Sequence, residues 1–374
     1  MLTQAKLSKL ITKLDREKEG LCVSLVIPTY RTSTMRMQNP KNVQKVIRKV
    51  NSIIKGMSRS KATANHLIEK LDQLRSAVDH VHPLDGIGLF ASSHVAEIIM
   101  FPFKVQEKIV VGDSFEMRDL YYYRQLAIEY YILHLTKDGA QLYTGCLDQA
   151  QEVHDDFFPV KFEDDYEYAT PAPASSMRNA LQSFERDKSQ LRQIRQERNY
   201  KEINGLLGNY LLPDKSLIVS GAKEQVARFS NNYTWSNHLE GELTGNYTKD
   251  TIKLGRDAWK KLRSHKINHL ASQQIKAIRE GVGQDKVVTG IREVWKAAKD
   301  GRGLALYVEK DYGRSGYLAG DNQLYLSPPK GKYKRVEDIV DDAIEMAKTK
   351  GTEVKILENE KLRAFDHIAL ALRY

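Results

Sequence analysis

The stretch "YYILHLTKDGAQLYTG", residues 130–145, reads as two short strand-like runs separated by a Lys-Asp-Gly turn. Asp and Gly tolerate the left-handed backbone that tight hairpins need, so the pattern predicts an antiparallel pair that opens a new folding unit. Working outward from it, the acidic run "EDDYE" (163–167) and the open stretch "EYATPAPASSMRN" (167–179) follow. Two prolines there remove backbone donors, and alanine and serine offer little to bury, so a displayed loop is expected. A helix is predicted from about Met177 to Leu212, with Leu181, Phe184, Leu191 and Ile194 as its apolar stripe and Pro213 as its stop. Strand-like "SLIVSG" (216–221) and further helices carry this unit to roughly residue 265.

Upstream, Leu7, Leu10, Ile11 and Leu14 share one face of an opening helix, and "CVSLVIP" (22–28) reads as a buried strand stopped by Pro28. Two amphipathic helices follow, through Val43, Val46, Ile47, Val50 and Ile54, and through Leu67, Leu71, Leu74 and Val78. Between their apolar faces lies the basic "KGMSRSKATANH" (55–66), and strands "GIGLFAS", "VAEIIMF" and "EKIVV" complete an α/β unit. Downstream, "INHLASQQIKAIREG" bridges to a final alternation: helix "VVTGIREVWKAAKDG", strand "LALYVEK", helix "VEDIVDDAIEMAKTKG", strands "EVKIL" and "HIALALRY". The Gly/Tyr/basic stretch from Asp311 to Arg335 interrupts it with no assigned element. The expected fold is α/β in three domains, at 1–125, 126–270 and 271–374, the last a small three-layer sandwich.

Composition bounds the function. The 374 residues carry a formal charge of +10 and an isoelectric point near 9.2, which points towards a polyanion such as RNA. Two cysteines support neither a disulfide framework nor a zinc ribbon, and the absence of an 18-residue apolar run leaves no membrane span, so a cytoplasmic protein is expected. No phosphate-cradling G-x-x-x-x-G-K-[ST] loop occurs, and Gly281-Val-Gly283 lacks the third glycine of a dinucleotide turn. His265 and His269 stand at metal-clamping spacing but without the glutamate of H-E-x-x-H; solvated helix histidines are the plain reading. The doublets Asp155-Asp156, Asp164-Asp165 and Asp341-Asp342 are read as solvated rather than as a two-metal centre. Expected cofactors and metals are none. The predicted helix after the open stretch carries Arg178, Arg186, Lys188, Arg192, Arg195, Arg198 and Lys201 against three acids, a surplus suited to phosphates or simply to water.

Several segments resemble the archaeal and eukaryotic class-I peptide-chain release factors and their relative Pelota, in a divergent bacterial branch. "VSLVIP", "HPLDGIGLFAS" and "VGDSF" resemble, in order, that family's first-domain strands and its Asp-x-x-Phe segment. "GTEVKIL" and the ending "HIALALRY" resemble its terminal strands. "YYILHLTKDGAQLYTG" and "GLLGNYLLPDKSLIVSGAKE" resemble the hairpin and the later helix, strand and turn of its ribonuclease-H-like central domain.

The resemblance implies a tRNA-shaped occupant of the ribosomal A site. Where the family holds the Gly-Gly-Gln loop that promotes peptidyl-tRNA hydrolysis, this chain reads Thr170, Pro171, Ala172, Pro173, Ala174, Ser175, Ser176, with neither glycine nor glutamine. "SRSKATANH" stands near the family's Asn-Ile-Lys-Ser stop-codon motif without matching it. The implied function is therefore non-enzymatic: ribosome hibernation by occluding the decoding and peptidyl transferase centres, with Pelota-like ribosome rescue as the alternative. An enzymatic rival, release or hydrolysis with unorthodox groups, would have Asp164, Asp165 and His154 as candidates. Implied rRNA contacts are Arg178, Arg186, Lys188, Arg192, Arg195 and Arg198, with Arg59 and Lys61 near the decoding centre. Implied partners are the ribosome, through 16S and 23S rRNA, and a translational GTPase, EF-Tu; the protein itself is expected to be a monomer away from membranes.

Overall fold

The computed structural model describes residues 3–57, 60–162, 194–231, 233–248 and 250–373. The chain divides into two compact units: residues 2–127 together with 270–374, and residues 128–269.

The first unit begins with α1 (Gln4–Arg16), whose N-cap Thr3 accepts a hydrogen bond from the Lys6 amide at 3.4 Å. Strand β1 (Cys22–Pro28) is buried nearly throughout because helices cover both faces of its sheet. After the short α2 (Ser33–Arg36) come α3 (Asn39–Met57) and α4 (Lys61–Ala77), then β2 (Gly86–Ala91), β3 (Ala96–Phe101) and β4 (Lys108–Gly112), in antiparallel order β3-β2-β1-β4. The apolar periodicity of α3 and α4 lays Val43, Val46, Val50, Leu67 and Leu71 over Val23, Leu25 and Ile27. On the opposite face, Phe90 and Phe101 meet Phe115 and Tyr123, the latter on α5 (Arg118–Leu126).

The second unit starts with the hairpin. Strands β5 (Glu129–Leu135) and β6 (Gly139–Cys146) pair antiparallel, with Tyr130 opposite Gly145 and Leu133 opposite Leu142. Gly139 is required by close approach, since a Cβ there would lie 1.9 Å from the Val160 carbonyl oxygen. The unit continues through β7 (Gln149–Glu152), β8 (Val160–Lys161), α6 (194–207), β9 (Ser216–Gly221), α7 (Lys223–Asn231), β10 (Leu239–Thr244) and α8 (Thr251–Leu262). Its main sheet runs β10-β9-β5-β6-β7, with β5, β9 and β10 parallel and the hairpin strands antiparallel. Leu133, Leu135, Leu217 and Val219 bury against Tyr200, Ile203 and Leu207 of α6 and Phe229 of α7. The helix before Pro213 stops at residue 207 rather than 212: the amides of Tyr210 and Leu211 both turn back to the Leu207 carbonyl, and Leu212 is exposed.

The chain re-enters the first unit through α9 (Asn268–Val282). Next come β11 (Val287–Thr289), α10 (Ile291–Lys299), β12 (Gly303–Glu309), β13 (Gly316–Ala319), β14 (Gln323–Tyr325), β15 (Lys334–Val336), α11 (Ile339–Thr349), β16 (Glu353–Leu357) and β17 (Ile368–Leu372). The sheet β11-β17-β12-β16 packs Ala305, Tyr307 and Ala369 against Ile278 of α9, while α10 and α11 take its other face. Residues 287–289, expected within a helix, form strand β11 by pairing with the edge of β17, and Gly290 at φ +76° then starts α10. The interrupting stretch 311–335 contains strand rather than bare loop, and makes a separate sheet β14-β13-β15.

Within this unit α5 is bound to the later segments by buried charge. Arg118, 1% exposed, donates to the Asp338 carboxylate at 2.9 Å and lies 3.5 Å from Asp341 and 4.0 Å from Glu116. Lys108 donates to Asp119 at 2.8 Å. Burial raises the Glu116 carboxyl, but Lys108 and Arg118 outweigh it and hold that group below the ordinary glutamate range. Burial, together with the Glu116 charge, pushes Asp341 well above its ordinary range. The expectation of a solvated Asp341 is therefore wrong: it faces Arg118 and Glu116 rather than open water.

Candidate nucleic-acid interface

Helix α3 separates its residues sharply. Val43, Val46, Ile47, Val50 and Ile54 are buried, while Lys41, Lys45, Arg48 and Lys55 are exposed. With Ser52, those cations recur at alternating steps of four and three residues, which places them on one stripe opposite the core face. At 1.5 Å rise per residue the stripe is about 21 Å long.

The partners of neighbouring cations show which ones serve the fold. Arg31 grips Asp85 with two bonds of 2.9 Å, Arg36 donates to the Val81 carbonyl at 2.8 Å, and Lys49 donates to Glu107 at 2.6 Å. Lys41, Lys45, Arg48 and Lys55 make no ion pair among the described residues. Lys41 also sits in the first turn of α3, and Lys61 in that of α4, where neither helix has an acid. A cation at a helix N-terminus opposes the peptide dipoles, at a cost of about 0.3–1 kcal/mol, so helix stability does not explain these positions. An anionic partner would.

Sequence reasoning marked only Arg59 and Lys61 in this region. The signal it passed over is the absence of acids: no Asp or Glu occurs between Glu19 and Glu69, while Arg31, Arg36, Lys41, Lys45, Arg48, Lys49, Lys55, Arg59 and Lys61 do. A single-sign stretch of this kind is an electrostatic footprint.

In the other unit, Arg195 and Arg198 are exposed on α6, with Tyr200, Ile203 and Leu207 turned inward. Ile194, expected in the apolar stripe, is 63% exposed, because the buried set 200, 203 and 207 puts 194 and 198 on the outer face. Thr170, Pro171, Ala172, Pro173, Ala174, Ser175, Ser176, Arg178, Arg186, Lys188, Arg192, Arg59, Asp164 and Asp165 lie outside the described residues. The stripe on α3 and the exposed face of α6 belong to different units.

The described histidines, cysteines and acids have the following settings. His154 is exposed, 3.6 Å from Glu152. His134, on β5, is 1% exposed and enclosed by the Ser220 hydroxyl at 3.0 Å and the Thr248 hydroxyl at 3.4 Å; burial depresses its pKa, which suits a neutral, hydrogen-bonded core histidine. Cys22 and Cys146 are buried and form no disulfide, and burial pushes both thiols up to about 12, which suppresses the nucleophilic thiolate. Asp155 is exposed, and it accepts from the amides of Phe157 and Phe158 and from Tyr210, so it pins a surface turn. His265 lies 2.8 Å from Glu240, and no group of three potential metal ligands occurs among the described residues.

Residues 129–302 match the family model described as bacterial archaeo-eukaryotic release factor family 3. Over that span the chain is release-factor-like. Among solved structures, it is similar to Archaeoglobus fulgidus Pelota, at 12% identity over 100% of this chain and 92% of that one, TM-score 0.42. It is also similar to Saccharomyces cerevisiae Dom34, a translation termination-like factor interacting with Hbs1, at 13% identity over 77% and 79%, TM-score 0.36. A third is an archaeal translation termination factor, at 15% identity over 100% and 98%, TM-score 0.26. No curated protein matches the chain. No helix of the described residues is long and apolar enough to cross a membrane.

Proposed function

We propose that this protein is a cytoplasmic, ribosome-binding factor of release-factor type that occupies the A site without hydrolysing peptidyl-tRNA, and so keeps idle ribosomes inactive. The observation that carries the proposal is the family match over residues 129–302 in a chain that contains no two adjacent glycines anywhere. In the class-I release factors that the chain resembles, peptide release depends on a Gly-Gly-Gln loop. Here Pro171 and Pro173 fix φ where the glycines would supply backbone freedom, and no glutamine follows to position a water.

Two further features support the reading. The sheet order β10-β9-β5-β6-β7 agrees with a ribonuclease-H-like central domain whose acidic catalytic residues are absent from β5, which reads "EYYILHL" with its only acid, Glu129, exposed at the first position. The cations along α3 suit rRNA phosphates, and Lys61 is exposed in the first turn of α4. In this proposal the 170–176 stretch reaches the peptidyl transferase centre and contributes shape alone, and Arg195 and Arg198 bind rRNA. A translational GTPase, EF-Tu, delivers the protein, which acts as a monomer without cofactor.

The test is sedimentation with vacant ribosomes and with ribosomes stalled on mRNA, at low and high salt. Co-sedimentation that weakens with salt, together with intact 70S particles, is the expected result. Subunit splitting would favour Pelota-like rescue, and no binding at low salt would remove the ribosomal proposal altogether.

A further inference from the structure

The 311–335 stretch takes no part in the α3 face, yet it builds a groove of its own. In its sheet, Leu318 of β13 stands opposite Leu324 on one side and opposite Lys334 on the other, so the three share a face. Gly316 lies on that face, where a Cβ would come 2.9 Å from Ile339 Cγ2; its absence lets the start of α11 close against the sheet. At Gly320 nothing lies within 4 Å of a would-be Cβ, and there sheet and helices part. Two bonds hold them at that separation: Trp295 donates to the Asn322 carbonyl at 3.1 Å, and Lys299 bridges to the Asp321 carboxylate at 3.1 Å.

The resulting open groove has a volume of about 840 Å³, within the range of ligand sites. Leu318, Met346 and the largely buried Trp295 give it an apolar floor, and Lys299, Lys332, Lys334 and Lys350 stand around it. Lys332 and Lys334 are exposed and make no ion pair among the described residues, and no acid occurs from Asn322 to Val336. Of the two acids in the wall, Glu345 already accepts from Ser114 at 2.9 Å and from Lys18 at 3.4 Å, which leaves Asp342 facing Lys334.

We propose that this groove docks an acidic peptide segment of a partner protein, with one or two apolar side chains seated on Leu318 and Met346 and carboxylates against Lys332 and Lys334. Charge complementarity selects the occupant, and the aliphatic floor separates it from RNA. Single-stranded nucleic acid is held by successive exposed ring faces, whereas Trp295 is 6% exposed here, which leaves Tyr333, 47% exposed and edge to face with Tyr317 at 5.2 Å, as a single ring in the lining. The Asp342 carboxylate would also repel a phosphate more than it would a peptide that can turn a neutral residue towards it. The inference does not depend on the ribosomal reading, and its test uses the full chain alone.

The probe is a fluorescein-labelled dodecapeptide of Asp and Glu carrying two leucines and one phenylalanine, followed by anisotropy. Saturable binding is expected, weakened roughly tenfold or more by Lys332→Glu with Lys334→Glu, and comparably by replacing the probe's acids with Asn and Gln. Met346→Ala should weaken binding several-fold, and the Met346 methyl resonance should shift on titration. Equal affinity for the neutral probe, no saturable binding, or a single-stranded RNA dodecamer that binds more tightly and shifts the same methyl would each overturn the proposal. Circular dichroism controls for folding of the variants, and the neutral probe tests the charge requirement on the unaltered protein.

Discussion

Replacing Lys45 and Arg48 by Gln should change how ribosome binding responds to salt before it changes anything else. Both side chains are exposed on α3, so folding should be unaffected. Each cation seated on a phosphate displaces condensed counterion and contributes about −0.7 to −0.9 to the slope of log K against log salt. If Lys41, Lys45, Arg48 and Lys55 each take one phosphate, the stripe supplies a slope of roughly −3, or about a hundredfold loss of affinity between 50 and 200 mM salt. The double variant should lose about 1.4–1.8 of that slope, leaving the stripe's share of the loss near tenfold. Sedimentation or filter binding over a salt series measures the slope directly. An unchanged slope, with binding itself intact, would return the α3 stripe to a solvated helix face.

Other consequences concern the scaffold. Arg118→Met should destabilise the unit containing residues 2–127 by about 3–5 kcal/mol in denaturant unfolding, because it removes the buried cation that Asp338 and Asp341 face and leaves Glu116 with Lys108 alone. Asp341→Asn should instead stabilise at neutral pH: a folded-state pKa above the unfolded value means stability falls as pH rises from the ordinary carboxyl range towards the raised one, and the amide removes that fall. Thermal unfolding between pH 4 and 8 checks the sign, and a variant with the same downward trend would contradict it. Gly145→Ala should cost about 1–3 kcal/mol, since its methyl would stand 2.5 Å from the Tyr130 ring.

Much of the architecture was legible in local pattern. "CVSLVIP" and "SLIVSG" coincide with β1 and β9, and the Lys-Asp-Gly turn joins the antiparallel strands β5 and β6. The apolar spacing of α3 gave its buried face. What local pattern could not supply was pairing at a distance. Residues 287–289 become strand only because β17, some eighty residues later, offers an edge. The strands of 311–335 carry Gly, Tyr and Lys rather than alternating apolar residues, because one face of that small sheet is open. Asp341 looked solvated because Arg118, the residue that draws it in, lies far back in the chain. Of the candidate binding residues, Lys61, Arg195 and Arg198 are exposed, while the larger α3 set was hidden in plain composition, as missing acids rather than as a motif.

Occupation of the A site without ester chemistry would show itself in puromycin reactivity. Ribosomes carrying labelled peptidyl-tRNA in the P site would be incubated with saturating protein, then treated with puromycin, while released peptide is followed throughout. No release from the protein alone and a marked fall in the puromycin reaction are expected. Peptide set free before puromycin is added, or a puromycin reaction at its full rate, would contradict that occupation.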